Sequence, residues 1–225
     1  ENVTLPRHFA AHGYKTYTTG KIYHGSALPD GDFDVVGPRP GQRLKIDQRL
    51  IRPTKEGANG LWDFGAQPYD EKLFQDHLTA SWAIEQLRAH ETSRKSNDEA
   101  QSADPFFMAI GFYRPHVPFY SPQRIFDQIP LNDIELPAVK PGDRNDLPAI
   151  ASELMIAPVA PDHAWFVQSS NWRRAVQSYL SCIRFTDEQV GRLLDTVYQS
   201  SLADNTIVIL YSDHGFFLGE KERWA

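Results

Sequence analysis

A carboxylate and an imidazole stand side by side near the end of the sequence, in the segment "LYSDHGFFLGE" at 210–220. Asp213 and His214 directly follow a run of aliphatic residues that is typical of a buried strand. Carboxylate oxygen suits Ca²⁺, Mg²⁺ or Mn²⁺, whereas imidazole favours zinc. The pair therefore predicts a divalent metal site, although Asp213 could instead cap a helix after Gly215 and His214 could be a packing residue.

Three further side chains with chemical potential follow two other apolar segments. Lys21 and His24 lie at the end of "YKTYTTGKIY" (14–23), and His116 lies a few residues past "PFFMAIGF" (105–112). Prolines on both sides brace the backbone at His116, which favours a functional role, although this segment could be only a rigid turn. Lys21 and His24 could be ordinary surface residues at a strand end. Cationic groups around a metal would bind an anionic tetrahedral group and stabilise charge that grows on it.

The elements that would position these residues alternate between strands and helices. Three helices are predicted: a short one that ends at Gly13, and two longer ones over 70–90 and 171–205. The predicted strands cover 14–23, 105–112 and 206–213, the last as an apolar strand buried on both faces. The other regions are predicted as an extended surface region (26–70), a solvated loop (91–104), and loops with single helical turns (120–170).

This order predicts an α/β fold, a mostly parallel central sheet flanked by helices. In such sheets, ligands bind beyond the carboxyl ends of the strands. The three predicted strand ends would therefore deliver the candidate residues to one edge of the sheet, namely Lys21, His24, His116, Asp213 and His214.

Composition excludes several classes of protein. The chain has 225 residues, of which 41% are hydrophobic and 23% charged, so it can bury a core. Its net charge of −6 gives no basic footprint for nucleic acid, and it has no 18-residue apolar stretch that would span a membrane. The single cysteine, Cys182, excludes an internal disulfide and lies in the longest predicted helix, where we expect it to be a packing residue.

Four segments together carry a resemblance to a known family. They are "HGYKTYTTGKIYHG", "PFFMAIGFYRPHVPF", "YLSCIRFTDEQVGRLLD" with "NTIVILYSDHG", and "YSDHGFFLGE". In this order along the chain they resemble the type I sulfatases of the alkaline phosphatase superfamily, in the form of the iduronate-2-sulfatase-like branch. The resemblance implies the fold of that superfamily and a sulfuric ester hydrolase that acts on a sulfated carbohydrate.

The resemblance also implies a role for each candidate residue. Asp213 would be a ligand of one divalent cation, usually Ca²⁺, and His214 would contact the metal or the sulfate. Lys21 and His24 would contact the nucleophile and the sulfate oxygens, as catalytic and substrate-binding residues. His116 would lie near the leaving-group oxygen, where it binds substrate and is a candidate general acid. The family's nucleophile is a formylglycine made from a Cys or Ser, whose hydrated aldehyde attacks sulfur before hemiacetal breakdown expels sulfate.

The motif that yields the formylglycine does not occur in this sequence, which contains no Cys-x-Pro-x-Arg or Ser-x-Pro-x-Arg. We therefore expect residues 1–225 to be a partial sulfatase catalytic domain, with the nucleophile motif and its strand upstream and a further part downstream. By itself the chain would be inactive. By analogy with the family, the complete protein would be secreted, periplasmic or lysosomal, although no export signal is visible.

Two other functions stay open at this point. A phosphodiesterase or phosphomutase of the same superfamily would use two Zn²⁺ or Mn²⁺ ions and more Asp/His pairs. A non-catalytic relative would bind sulfated glycans without cleaving them, and it would carry no formylglycine motif upstream.

Overall fold

The computed structural model describes residues 2–25, 27–39, 50–51, 62–96, 105–140, 142–154 and 160–224. The helices are α1 (Leu5–Ala11), α2 (Gln75–Ser96), α3 (Gln123–Phe126), α4 (Ala149–Leu154), α5 (His163–Gln168) and α6 (Trp172–Tyr198). The strands are β1 (Lys15–Gly20), β2 (Val35–Val36), β3 (Phe64–Gln67), β4 (Phe106–Gly111) and β5 (Phe119–Pro122). Among the helices that the structure describes, none combines the length and the apolar composition needed to cross a bilayer.

The chain divides into two compact units. Unit 1 comprises residues 1–45, 70–113 and 186–208, and unit 2 comprises residues 46–69, 114–185 and 209–225. Each strand pair within the described residues is parallel, and helices flank the strands. The predicted fold class, an α/β arrangement of parallel strands with helices, is therefore confirmed.

Unit 1 is built on a three-stranded sheet in the order β2-β1-β4. Strand β1 forms within the predicted range 14–23, because its β-branched and aromatic residues suit a pleated surface. It ends at Gly20, so the prediction was wrong for 21–23, which lie in the turn that follows. It pairs with β4 along its whole length, from Lys15 opposite Phe106 to Gly20 opposite Gly111. The two strands therefore end at the same level, so residues that follow them emerge at one edge of the sheet.

Helices pack against this sheet through two groups of apolar side chains. Helix α1 ends at Ala11, and Gly13, just beyond its cap residue His12, has a φ of +82°, the left-handed conformation that glycine adopts after helix ends. Its Phe9 ring stacks on Phe107 with centroids 4.7 Å apart. A second cluster joins α2, α6 and β4 through Leu87, Val197 and Leu202, with Phe106, Met108 and Leu193 packed around them. These contacts hold the helices against β4, the strand that pairs with β1.

Unit 2 is built on the β3–β5 pair, in which Phe64 lies opposite Phe119. Its core is strongly aromatic, and the buried rings are those of Trp62, Phe64, Phe119, Phe166 and Trp224. Cys182 of α6 is fully buried, and its Sγ donates a hydrogen bond to the Tyr120 carbonyl at 3.4 Å. The prediction that Cys182 is a packing residue is therefore confirmed.

The predicted buried strand over 206–213 is wrong. No strand that the structure describes pairs with this segment, and its apolar side chains face solvent, with Ile207 90% and Leu210 77% exposed. A strand exists only where a neighbour satisfies its backbone N–H and C=O groups. The aliphatic run indicates a high strand propensity, but it cannot by itself supply that neighbour.

Three smaller predictions need correction. Helix α2 continues to Ser96, so the solvated loop predicted from 91 begins later, and residues 97–104 lie outside the described part. The region 26–70, predicted as an extended surface region, contains strands β2 and β3. Its residues 40–49 and 52–61 lie outside the described part of the chain. The predicted loops over 120–170 do contain short helices, but their first residues belong to β5.

Candidate active site

Lys21 lies at the carboxyl end of β1, as predicted. Its backbone N–H donates to the Gly111 carbonyl at 2.7 Å, which joins it to the end of β4. This close approach requires glycine, because a Cβ on Gly20 would lie 2.0 Å from the Gly111 carbonyl oxygen. Gly20 also has a φ of +75°, which L side chains rarely adopt. The half-buried Lys21 ammonium lies 5.8 Å from the ring centroid of Tyr113, within reach of a cation–π contact.

His24 lies three residues further along the same turn and is exposed to solvent. Between them, the Tyr23 hydroxyl donates a 2.5 Å hydrogen bond to the carboxylate of Asp32. Asp32 is fully buried and also accepts from Thr4 and Arg7. This role of Asp32 was not predicted, because Asp32 stands in "DGDFD", which is typical of a solvated turn.

His116 lies in unit 2, half-buried in the proline-braced loop that precedes β5. Its Nδ1 is 2.7 Å from the Val117 carbonyl, and Arg114 donates to the carbonyl of His116 at 2.8 Å. A carbonyl only accepts hydrogen bonds, so Nδ1 must carry the proton of this contact. A proton that His116 exchanges with a substrate would therefore be carried by Nε2.

Asp213 and His214 also lie in unit 2, on an exposed segment. Their side chains are 76% and 59% exposed, and Asp213 Oδ2 is 3.8 Å from His214 Nε2. The His214 Nδ1 lies 2.9 Å from the Gly215 carbonyl, so the same argument leaves Nε2 as the atom that would bind a metal. No helix follows Asp213 directly among the described residues, so the alternative role of Asp213 as a helix cap finds no support.

The ring of Phe216 contacts both candidate regions of unit 2. Phe216 lies between His116 and His214, with ring centroids 6.4 and 5.9 Å away. It also packs edge-on against Phe119 of β5 at 5.4 Å. Phe216 was missed in the sequence, where only its position after the Asp-His pair could have drawn attention to it.

The structure thus places the candidates in two groups. Lys21 and His24 share one turn of unit 1, whereas His116 and His214 both contact Phe216 in unit 2, where Asp213 lies next to His214. Their convergence at one sheet edge, which the sequence predicted, stays a prediction.

The donor chemistry at Asp213 and His214 fits a divalent cation in part. A carboxylate and an imidazole are acceptable ligands, but Ca²⁺ takes six to eight oxygen ligands. Within the described ranges, no group of three or more His, Cys, Asp or Glu side chains is arranged to hold a metal. The pair would therefore supply two ligands of a larger set.

The hydrogen bond between Tyr23 and Asp32 shifts the pKa values of both groups. Burial of the Asp32 carboxyl would raise its pKa, but the hydrogen bonds from Tyr23 and Thr4 and the charge of Arg7 outweigh burial and lower the pKa below its usual value. Burial, and then the hydrogen bond to Asp32, raise the pKa of Tyr23 to about 12. At neutral pH the pair is thus a neutral phenol that donates to an ionised carboxylate.

Comparison with known proteins identifies the family. The family model described as "Sulfatase" matches residues 1–224. A sulfatase of Formosa agariphila is 36% identical over 99% of this chain and 43% of its own length. The iduronate 2-sulfatase of Homo sapiens is 29% identical over 99% of this chain and 42% of its own.

A solved structure extends the likeness to the fold. A different protein, solved in complex with its substrate D-glucosamine-2-N,6-O-disulfate, matches 100% of this chain and 52% of its own length, with a TM-score of 0.59. At 18% identity, this match shows the fold alone. The chain spans about two fifths of the length of the curated relatives named above. By the family match over nearly all of its residues, the chain belongs to the sulfatase family.

Proposed function

We propose that the complete protein carrying this chain hydrolyses sulfate esters of a carbohydrate, in the manner of an iduronate-2-sulfatase. The observation that carries this proposal is the sulfatase family match over residues 1–224. The substrate class is supported by two relatives: the human iduronate 2-sulfatase, and the fold relative solved with a disulfated glucosamine. Such a protein would act outside the cytoplasm, in a secreted, periplasmic or lysosomal form.

Each candidate residue has a role that its surroundings support. Lys21 presents a cation at the edge where β1 and β4 end, which suits a sulfate oxygen. His24 lies on the same turn and would bind the sulfate beside it. His116, with Nδ1 held by the Val117 carbonyl, would donate a proton from Nε2 to the leaving alkoxide oxygen as the S–O bond breaks.

Asp213 and His214 would hold one divalent cation, for which we propose Ca²⁺. When bound, this cation would polarise the sulfate oxygens. A formylglycine would supply the nucleophile that attacks sulfur. The part of this chain is to bind the ester, orient it and protonate the leaving group, so that water and the ester yield an alcohol and sulfate.

The test uses the complete protein, produced in a host that forms formylglycine. Release of inorganic sulfate is measured from a 2-sulfated uronide, a 6-sulfated glucosamine and choline sulfate, alongside phosphate release from a phosphodiester. We expect sulfate release from a sugar sulfate, lost in Lys21→Met and retained in the exposed Lys72→Met.

Other outcomes would assign a different function. Choline sulfate as the preferred substrate would replace the carbohydrate, since a choline-sulfatase of Rhizobium meliloti is 28% identical over 98% of this chain. Hydrolysis of the phosphodiester with two bound Zn²⁺ or Mn²⁺ ions would indicate the phosphodiesterase alternative. Binding of sulfated glycans without any turnover would indicate the non-catalytic one.

A further inference from the structure

Among the described residues of unit 1, the carboxylate of Asp32 is the most deeply buried, and it lies outside the roles described above. The Asp32 side chain has no exposed surface, and it accepts hydrogen bonds from three donors. Tyr23 donates to Oδ2 at 2.5 Å, while Thr4 and Arg7 donate to Oδ1 at 3.0 and 2.8 Å. A buried carboxylate is expensive unless it is fully paired, so this arrangement is built by the fold.

The donors come from two different parts of unit 1. Thr4 and Arg7 belong to the start of α1, and Arg7 also donates to the Asp30 carbonyl at 2.6 Å. Together they fix Asp32 against the helix. Tyr23 instead belongs to the turn 21–25, which is neither helix nor strand. The carboxylate therefore ties this turn to a rigid element.

The tied turn is the one that carries Lys21 and His24. At its beginning, the Lys21 N–H is held by the Gly111 carbonyl at 2.7 Å. Two residues later, Tyr23 provides a second anchor through its hydroxyl. Because the pKa of Tyr23 is raised to about 12, that hydroxyl stays protonated and keeps donating throughout the physiological range of pH.

We propose that Tyr23 and Asp32 are positioning residues that hold the Lys21–His24 turn in the geometry needed to bind the sulfate group. This inference rests on the proposed function for the identity of the anion. Tyr23 acts through the turn and does not touch substrate. Preorganisation of this kind matters because a displacement of about 1 Å at a reacting group can cost about 100-fold in rate.

The first experiment measures the turn without any catalysis. In the complete protein, Tyr23→Phe removes only the hydroxyl, and Tyr198→Phe makes the same change at an exposed site on α6. The rate at which Lys21 is acetylated by a soluble reagent is followed by peptide mass spectrometry. We expect a severalfold faster modification of Lys21 in Tyr23→Phe and no change in Tyr198→Phe. Labelling is done at a temperature at which circular dichroism shows all the proteins to be folded, because the lost hydrogen bond to a buried carboxylate also lowers the thermal midpoint of Tyr23→Phe. An unchanged rate would overturn the proposal, whatever the enzyme hydrolyses.

The second experiment separates positioning from a general loss of stability. Tyr23→Phe is expected to lower kcat/KM for a sulfate ester by about 10- to 100-fold. In a His24→Ala background the same substitution should have much less effect, because part of the turn's function is already lost. If Tyr23→Phe costs the same factor in both backgrounds, the hydroxyl does not act through the turn and the proposal fails.

The two proposals can fail separately. If wild-type protein hydrolyses no sulfate ester, the proposed function is wrong, while Lys21 labelling still tests the turn. Asp32→Asn provides a second variant: it keeps the side-chain shape but removes the charge, and it should accelerate Lys21 labelling as Tyr23→Phe does. Slow labelling in a folded Asp32→Asn protein would show that the carboxylate is not the anchor.

Discussion

At the scale of single residues, the two imidazoles of unit 2 share one orientation. In both His116 and His214, Nδ1 donates to the carbonyl of the next residue, at 2.7 and 2.9 Å. Each contact fixes the tautomer, with Nδ1 as the donor. The local backbone thus sets the tautomer that the two proposed roles require, a general acid for His116 and a metal ligand for His214.

His116 should matter most for substrates with poor leaving groups. An alkoxide leaving group needs a proton, whereas a nitrophenolate scarcely does, and general acid catalysis contributes about 10²- to 10⁴-fold. We expect His116→Ala to slow a sugar sulfate by such a factor and nitrophenyl sulfate far less. Asp213→Ala should slow both substrates alike, because the cation that Asp213 is proposed to bind would act on every sulfate ester.

An asparagine at 116 gives the matched control, since its amide can still donate to the Val117 carbonyl. His116→Asn should be as slow as His116→Ala on the sugar sulfate if proton donation is what matters. Equal slowing of both substrates by His116→Ala would instead make His116 a binding or structural residue.

Phe216 and Phe217 offer a comparison between adjacent, chemically identical side chains. Phe216 packs against His116, His214 and Phe119, whereas Phe217 is 42% exposed and lies against Arg223. We expect Phe216→Leu to lower the free energy of unfolding by about 1–3 kcal/mol and to reduce kcat, because it frees both histidines. Phe217→Leu should change neither; similar effects from the two variants would show that Phe216 does not position the imidazoles.

At the scale of elements, the glycines that close the β1–β4 pair decide where Lys21 lies. A Cβ on Gly111 would be 1.9 Å from the Lys21 carbonyl oxygen, which is backbone and cannot turn away. The matched glycine is Gly191 in α6, where an added Cβ meets nothing within 4 Å. One fold therefore contains one glycine that is required by packing and another that is not.

Gly111→Ala and Gly191→Ala should change stability in opposite directions. We expect Gly111→Ala to cost about 2–4 kcal/mol, because the strand ends must separate. Gly191→Ala should stabilise by about 0.5–1 kcal/mol, since alanine favours a helix interior. Denaturant titrations of both variants measure these changes, and a neutral Gly111→Ala would show that β1 and β4 need not approach so closely.

The elements also show what local pattern can and cannot predict. Strands β1 and β4 and helix α6 were predicted from the sequence, because their periodicity and residue types reflect one local environment. The placement of Lys21 after β1 and of His116 after β4 followed directly. Asp32 and Phe216 were missed because their roles depend on partners that are distant in sequence. Asp32 is held by Thr4 and Arg7. Phe216 packs against His116. The strand predicted over 206–213 was wrong for the same reason, because a strand also depends on a partner that is distant in sequence.

At the scale of the whole molecule, the segment 206–211 exposes five consecutive large apolar side chains, those of residues 207–211, among the residues that the structure describes. Its sequence "TIVILY" combines high strand propensity with no charge and no proline, which is the signature of segments that pair with one another between chains. Ile207, Ile209 and Tyr211 are 90%, 78% and 83% exposed. The net charge of −6 opposes association only weakly at physiological ionic strength, because exposed charges are screened beyond about 8 Å.

We therefore expect the isolated 225-residue chain to self-associate through this segment. Replacing Ile207 and Ile209 together by lysine places two like charges on the segment, so that copies repel one another and pairing is suppressed. The control replaces Val3 and Leu73, also exposed, by lysine and makes the same change in net charge elsewhere. Sedimentation velocity over a concentration series should show oligomers for the wild-type chain and the control but monomers for the 207/209 variant. Oligomers that persist unchanged in that variant would place the contact on another surface, and a monomeric wild-type chain would show that exposure of this segment does not cause association.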